Sequence, residues 1–301
     1  MKIGLLPLDE RPVNTRYPAM IAALAGAEVL LPPAEFLSAQ RRPADCAALA
    51  DWLASVAPQL DGLIIALDML GYGGLIAART TNDPAASVLT RLERLREVRA
   101  AHPQLLIYGF NLITRVSNAN DAVEEPTYWA DYGEQFYLFS QLLDRREQGQ
   151  PVGAELDQLA AAIPGAQRRD MLARRLRNHT VNLAALGLLD AGVFDLLVLS
   201  SDDTSSFGLP SREKCYLAWW AGLLGLAGAD SRLLMYPGAD EVGCVLLARL
   251  LNARANLTPT LTASYAPTAA AANIAAYEDG PISTTVERHV GAAGGRLVDA
   301  G

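Results

Sequence analysis

The chain has 301 residues, of which 51% are hydrophobic, and its 33 acidic side chains against 25 basic ones give a formal net charge of −8. That balance excludes nucleic acid and anionic membrane surfaces as partners, because phosphate binding needs basic patches. The length and apolar content suit one large α/β domain or two smaller ones.

In chain order, the apolar runs KIGLLP (2–7), AEVLL (27–31), GLIIAL (62–67), QLLIYGF (104–110), DLLVLS (195–200) and RLLMY (232–236) predict strands, with two further candidates at 260–265 and 295–299. The runs are continuous, not alternating, as expected of strands covered on both faces by helices. Helical spacing fills 16–25, 44–57, 85–101, 128–147, 154–187, 211–227 and 240–254. Pro164 and Gly165 divide the fifth of these, and 166–180 reads as a basic, solvent-facing helix. Strands alternating with helices give βαβ units and a mostly parallel sheet. Eight strands permit a barrel-like (β/α) arrangement, towards which the reading leans, with an open doubly wound sheet as the alternative.

The stretch 117–135 breaks the alternation, and its polar, aromatic-rich composition predicts a lid or binding loop. It opens an insertion, 117–190, within a catalytic-type α/β domain spanning 1–301, and 255–301 reads as the start of a second subdomain. The C-terminal residues GGRLVDAG follow a strand with no covering helix, so a longer natural protein is expected. Cys46, Cys215 and Cys244 lie far apart without C-x-x-C spacing, which reads as reduced thiols and a cytoplasmic location. Neither a signal peptide nor an apolar run of roughly twenty residues is present, so no membrane span is expected. His102, His179 and His289 share no metal-binding spacing and read as solvated helix residues, which argues against a zinc site or a Ser-His-Asp triad.

Chemistry concentrates where the predicted strands end. Asp9, Glu10, Arg11 and Asn14 follow the first, Asp68 and Tyr72 the third, and Asn111 and Arg115 the fourth. Asp202 and Asp203 follow the fifth, and Tyr236, Asp240 and Glu241 close the sixth. Parallel α/β folds bind ligands at the carboxyl ends of their strands, so these residues are expected to converge on one cleft. A plain structural account exists for some of them: Asp240, Asp202 or Asp203 can cap the following helix or turn, and Arg11 can pair with Asp9 or Glu10. Capping does not require a second acid beside the first. The glycines of GYGGL, residues 71–75, lack the G-x-G-x-x-G order and the lysine of a P-loop, and read as a tight turn or a close backbone approach.

Five segments, LPLDERPVN, DGLIIALDMLGYGGL, FNLITRV, SSDD and YPGADEVG, in that order, resemble the bacterial family catalogued as domain of unknown function 4127. The resemblance runs through most of the chain and implies no particular reaction. More locally, PGADEV is similar to the Gly-x-Asp-Glu strand end of β-N-acetylhexosaminidases. That likeness implies Glu241 as general acid and Asp240 as the group orienting a substrate 2-acetamido nucleophile. An adjacent Asp pair serves another hexosaminidase group, which Asp202 and Asp203 would match. The aromatic cage of those enzymes is not recognisable; Tyr72, Tyr128, Trp129, Tyr132 and Tyr236 are the available rings.

The leading expectation is a carbohydrate-active hydrolase working without a cofactor on a small-molecule or carbohydrate substrate. Glycosidic cleavage needs one protonated and one ionised carboxyl group, and crowded acids divide those roles. Glu241 is the expected acid, with Asp240, Asp202 and Asp203 as its catalytic companions. Asp9, Glu10, Arg11, Asn14, Asp68, Tyr72, Asn111, Arg115 and Tyr236 are the expected substrate-binding residues. A second reading is a hydrolase or transferase dependent on Mg or Mn, held by Asp9, Asp68, Asp202, Asp203 and Asp240, with Arg11 and Arg115 gripping a phosphate. A third is a non-catalytic sugar-binding protein.

Overall fold

The structure is a computed structural model that describes every residue except 203, 229–230, 276–277 and 299–301. It opens with β1 (Lys2–Leu6), α1 (Arg16–Leu24), β2 (Glu28–Leu30), α2 (Cys46–Val56) and β3 (Gly62–Ala66). Two short helices follow, α3 (Leu67–Tyr72) and α4 (Leu75–Thr80), then α5 (Ala85–Leu92), α6 (Arg94–Ala101) and β4 (Leu106–Ile113). The middle is helical, with α7 (Trp129–Glu147), α8 (Gly153–Ala162) and α9 (Gly165–Asp190). After it come β5 (Leu196–Ser201), α10 (Leu209–Leu223), β6 (Leu233–Pro237), α11 (Val242–Ala255), β7 (Thr260–Leu261), α12 (Ile282–Ala292) and β8 (Arg296–Leu297).

Six strands form one parallel sheet in the order β2-β1-β3-β4-β5-β6. The sheet is open, with β2 and β6 as its edges. The barrel is not realised, because the last two predicted strands shrink to two residues each and pair with one another instead of extending the sheet. The chain runs outward from β1 to β2, crosses back over β1 to β3, and then proceeds in one direction. The switch point of this doubly wound topology therefore lies between β1 and β3.

The continuous apolar runs are explained by cover on both faces. Every residue of β3 and β5 is buried. Along β4 successive side chains point to opposite faces: Tyr108 reaches Arg249 of α11, whereas the Asn111 amide donates to Asn182 Oδ1 of α9 at 2.8 Å. Helices α1 and α11 pack together. Phe136, Phe139, Leu142, Leu156 and Met171 of α7, α8 and α9 gather a smaller core of their own around Trp129.

Two differences from the sequence reading matter. The sequence reading assigned no helix between β3 and α5, yet α3 and α4 flank the tight turn read at GYGGL: Gly73, whose φ of 92° no side chain favours, closes α3, and the N–H groups of Gly73 and Gly74 bond back to Met69 and Asp68. The segment 282–292, to which the sequence reading assigned no element, forms α12 and packs against α11.

Gly109 sits in the middle of β4 under the Phe194 ring, whose atoms would lie 2.9–3.1 Å from an added Cβ. Gly109→Val is expected to overpack this contact and cost about 1–3 kcal/mol, read as a lower urea midpoint at constant slope.

Candidate functional site

A cleft of about 510 Å³ lies along the carboxyl edge of the sheet. Arg11 comes to it from the β1 loop, Arg79 from α4, Arg115 and Glu124 from the loop after β4, and Ser201 and Asp202 from the end of β5. The turn after β6 supplies Asp240 and Glu241, and the C-terminal segment adds Glu278 and His289. Five strand ends thus contribute to one site. Of the residues proposed from sequence, the cleft is lined by Arg11, Arg115, Asp202, Asp240 and Glu241. Asp203 lies outside the described residues.

The others stand behind the wall or away from it. Asp9 is a clamp: its Oδ1 accepts from the Arg11 N–H at 3.0 Å and from Asn14 Nδ2 at 2.8 Å, and its Oδ2 from Arg11 Nε at 2.8 Å. Arg11, so fixed, engages both oxygens of Asp240, at 2.9 Å through Nη1 and by a further bond through Nη2. Glu10 is not in the cleft. It accepts from Ser38 Oγ and the Gln40 N–H, both at 2.6 Å, and these bonds outweigh burial to hold its pKa below the ordinary value. Tyr72 and Asn111 are buried and face α9: the Tyr72 ring lies under the Arg177 guanidinium at 4.9 Å, and Asn111 pairs with Asn182. Tyr236 is buried with its ring edge-on to His289, centroids 5.3 Å apart.

Asp68 is wholly enclosed and cannot reach a substrate in the cleft. Its Oδ2 accepts the Leu112 N–H at 3.0 Å, and Oδ1 has no partner among the described residues. Burial pushes its pKa up to about 7, against the Leu112 N–H and the charge of Arg79, which pull it down.

Sequence reasoning missed several members of the site. Arg79 is buried, and burial disfavours its charge, yet Asp202, then Glu125 and Glu124, hold its pKa above the ordinary value. It bonds to Asp202 Oδ2 and, at 2.8 Å, to Glu124 Oε2. Arg115 closes the network from the other side, 3.1 Å from Glu124 and 3.6 Å from Glu125. Arg79 lies on α4, beyond the GYGGL turn, in a stretch to which the sequence reading assigned no element. Glu124 and Glu125 sat in the segment flagged only as a lid. Glu278 and His289 belong to a C-terminal region with no strand-end signature, and His289 Nε2 stands 3.7 Å from Glu241 Oε1.

Glu241 differs from the other acids. It occupies the N-cap of α11 without making a side-chain cap. Its Oε2 accepts the Ala239 N–H at 3.2 Å, whereas Oε1 is buried without a hydrogen-bond partner among the described residues. Ser201 Oγ and Tyr236 Oη are in the same condition. Ser201 and Glu241 line the cleft, whereas Tyr236 stands behind it. Among the described residues no three His, Cys, Asp or Glu side chains gather to hold a metal ion, and no helix is long and apolar enough to cross a membrane.

The model of the family described as "Protein of unknown function (DUF4127)" matches residues 3–301. The chain belongs to this family. No curated protein and no solved structure matches it, so the local likeness of the DUF4127 chain to hexosaminidases rests on its short motif alone.

Two measurements test this electrostatic account. Arg79→Met leaves Asp202 and Glu125 without their main counter-charge and is expected to cost about 3–5 kcal/mol in urea unfolding. The raised pKa of Asp68 stabilises the fold fully below its ordinary value near 4, and this contribution is lost as pH rises through about 7. Asp68→Asn should therefore flatten the fall in stability across that window, measured as urea midpoints at successive pH values.

Proposed function

We propose that this cleft is the active site of a hydrolase acting on glycosidic bonds, with Glu241 as the proton donor. The observation that carries the reading is the contrast between adjacent acids. Both oxygens of Asp240 are occupied by Arg11, so a proton has no vacant oxygen there. Glu241 Oε1 is buried without a hydrogen bond among the described residues, beside an imidazole that can exchange a proton with it. Asp202, engaged by Arg79 through Oδ2, is the ionised partner, with Oδ1 left to face positive charge developing on the sugar ring. Asp240 then positions: its clasp with Arg11 fixes the β6 turn that carries Glu241.

A neutral, hydroxyl-rich substrate fits the charge arrangement better than a phosphorylated one. Each guanidinium at the cleft is already committed to carboxylates: Arg11 to Asp9 and Asp240, Arg79 to Asp202 and Glu124, and Arg115 to Glu124. A phosphate would have to break one of these pairs before it could be held bidentately. Unpartnered hydroxyls and a carboxylate oxygen, by contrast, suit sugar hydroxyls.

The test is hydrolysis of a panel of aryl glycosides, N-acetylglucosaminides included, with and without EDTA. Wild-type turnover should resist EDTA and fall about 10²–10⁴-fold in Glu241→Gln, a change that keeps an acceptor for the Ala239 N–H and so leaves the melting temperature in place. Loss of turnover in EDTA would instead establish the metal-dependent alternative, and undiminished turnover in Glu241→Gln would remove the proton donor assigned here.

A further inference from the structure

A second chamber of about 530 Å³ adjoins the first and shares Arg115, Glu124 and Asp202 with it. Its outer wall is the segment after β4, through Ser117, Asn118 and Asp121, and it is completed by Tyr137 of α7 and Thr204 beyond β5. Each chamber lies within the roughly 300–1,000 Å³ typical of a small-ligand site, and a single sugar ring fills only one of them.

The wall is built before any ligand arrives. Arg41, from the other end of the sheet, donates through Nη1 to the carbonyls of Ala122, Val123 and Glu125, at 2.5, 3.1 and 2.9 Å. Trp129 Nε1 donates to the Ser117 carbonyl at 3.3 Å, and Asn120 Oδ1 accepts the Glu134 N–H at 3.0 Å. Gly133 presses so closely on the Ala119 carbonyl that a Cβ there would overlap it. A segment of this composition free in solution would pay an ordering cost on binding; here intramolecular bonds have already met it.

The chamber also selects by charge. Among the described residues its one cation, Arg115, is paired with Glu124, while Asp121, Glu125 and Asp202 add negative charge, so an anionic group is repelled. What remains is an amide, hydroxyls and the Tyr137 ring, the mixture that binds the hydroxyls and the C–H face of a neutral sugar.

We infer that the substrate is a neutral oligosaccharide of at least two units, with the bond to be cleaved in the Glu241 chamber and a second unit in the chamber bounded by Ser117, Asn118 and Tyr137. This rests on the glycosidase reading of the first chamber. Wild type, Asn118→Ala and Tyr137→Ala are compared on 4-nitrophenyl N-acetyl-β-glucosaminide against the chitobioside, and on the β-glucoside against the cellobioside. Calorimetric binding of the free mono- and disaccharides is measured alongside.

The disaccharide is expected to exceed its monosaccharide about tenfold or more in kcat/KM, the worth of one or two net hydrogen bonds, and both substitutions should erode that ratio. Turnover with equal efficiency on both lengths, or a ratio that neither substitution moves, overturns the inference and leaves the reaction standing. Tighter, substitution-sensitive disaccharide binding without turnover supports the extended site and overturns the reaction assigned to Glu241. If no saccharide of either length binds or reacts, both are overturned.

Discussion

The site depends on one buried cation. Arg79 leaves α4, passes beneath the cleft with almost no exposure, and meets acids from two other segments: Asp202 at the end of β5, and Glu124 and Glu125 after β4. Burying a guanidinium is costly unless carboxylates compensate it, and the same cost makes the acids poor company without it. The two chambers share this network as their partition. The position of Asp202, the course of the loop after β4 and the closure of the cleft floor are therefore set by a single charge.

A second, more exposed clasp repeats the logic at the rim. Asp9 and Asn14 hold Arg11, and Arg11 holds Asp240, so the β1 loop fixes the turn after β6 although three strands of the sheet lie between them. At the rim, Asp240, an acid that looked chemically available, is occupied, whereas its neighbour Glu241 keeps one buried oxygen without a hydrogen bond among the described residues.

The parallel sheet was legible because both-face burial leaves a direct mark, an unbroken apolar run with a polar residue at its end. The same mark located Arg11, Arg115, Asp202, Asp240 and Glu241. It failed where residues follow a strand without facing the cleft: Glu10 turns to Ser38, and Asp68 folds under β4, because a strand end fixes where the backbone emerges but not which way the next side chain points. It failed again for α3 and α4, each only six residues long and parted by Gly73 and Gly74, too short to leave a helical period in the sequence. His289 and Glu278 were beyond reach for a different reason: they arrive from a segment outside the alternating pattern, and only packing of α12 against α11 brings them to the cleft.

The separation of 229 residues between Arg11 and Asp240 has a consequence for the growing polypeptide. While the chain emerges from the ribosome, Arg11 waits through the synthesis of five strands before Asp240 exists. An incomplete chain can assemble β1 to β5 around a competent core, yet Glu241 and the turn that orients it have not been made. The cleft thereby lacks its β6 side until translation has passed residue 241, and Glu278 and His289 reach it later still.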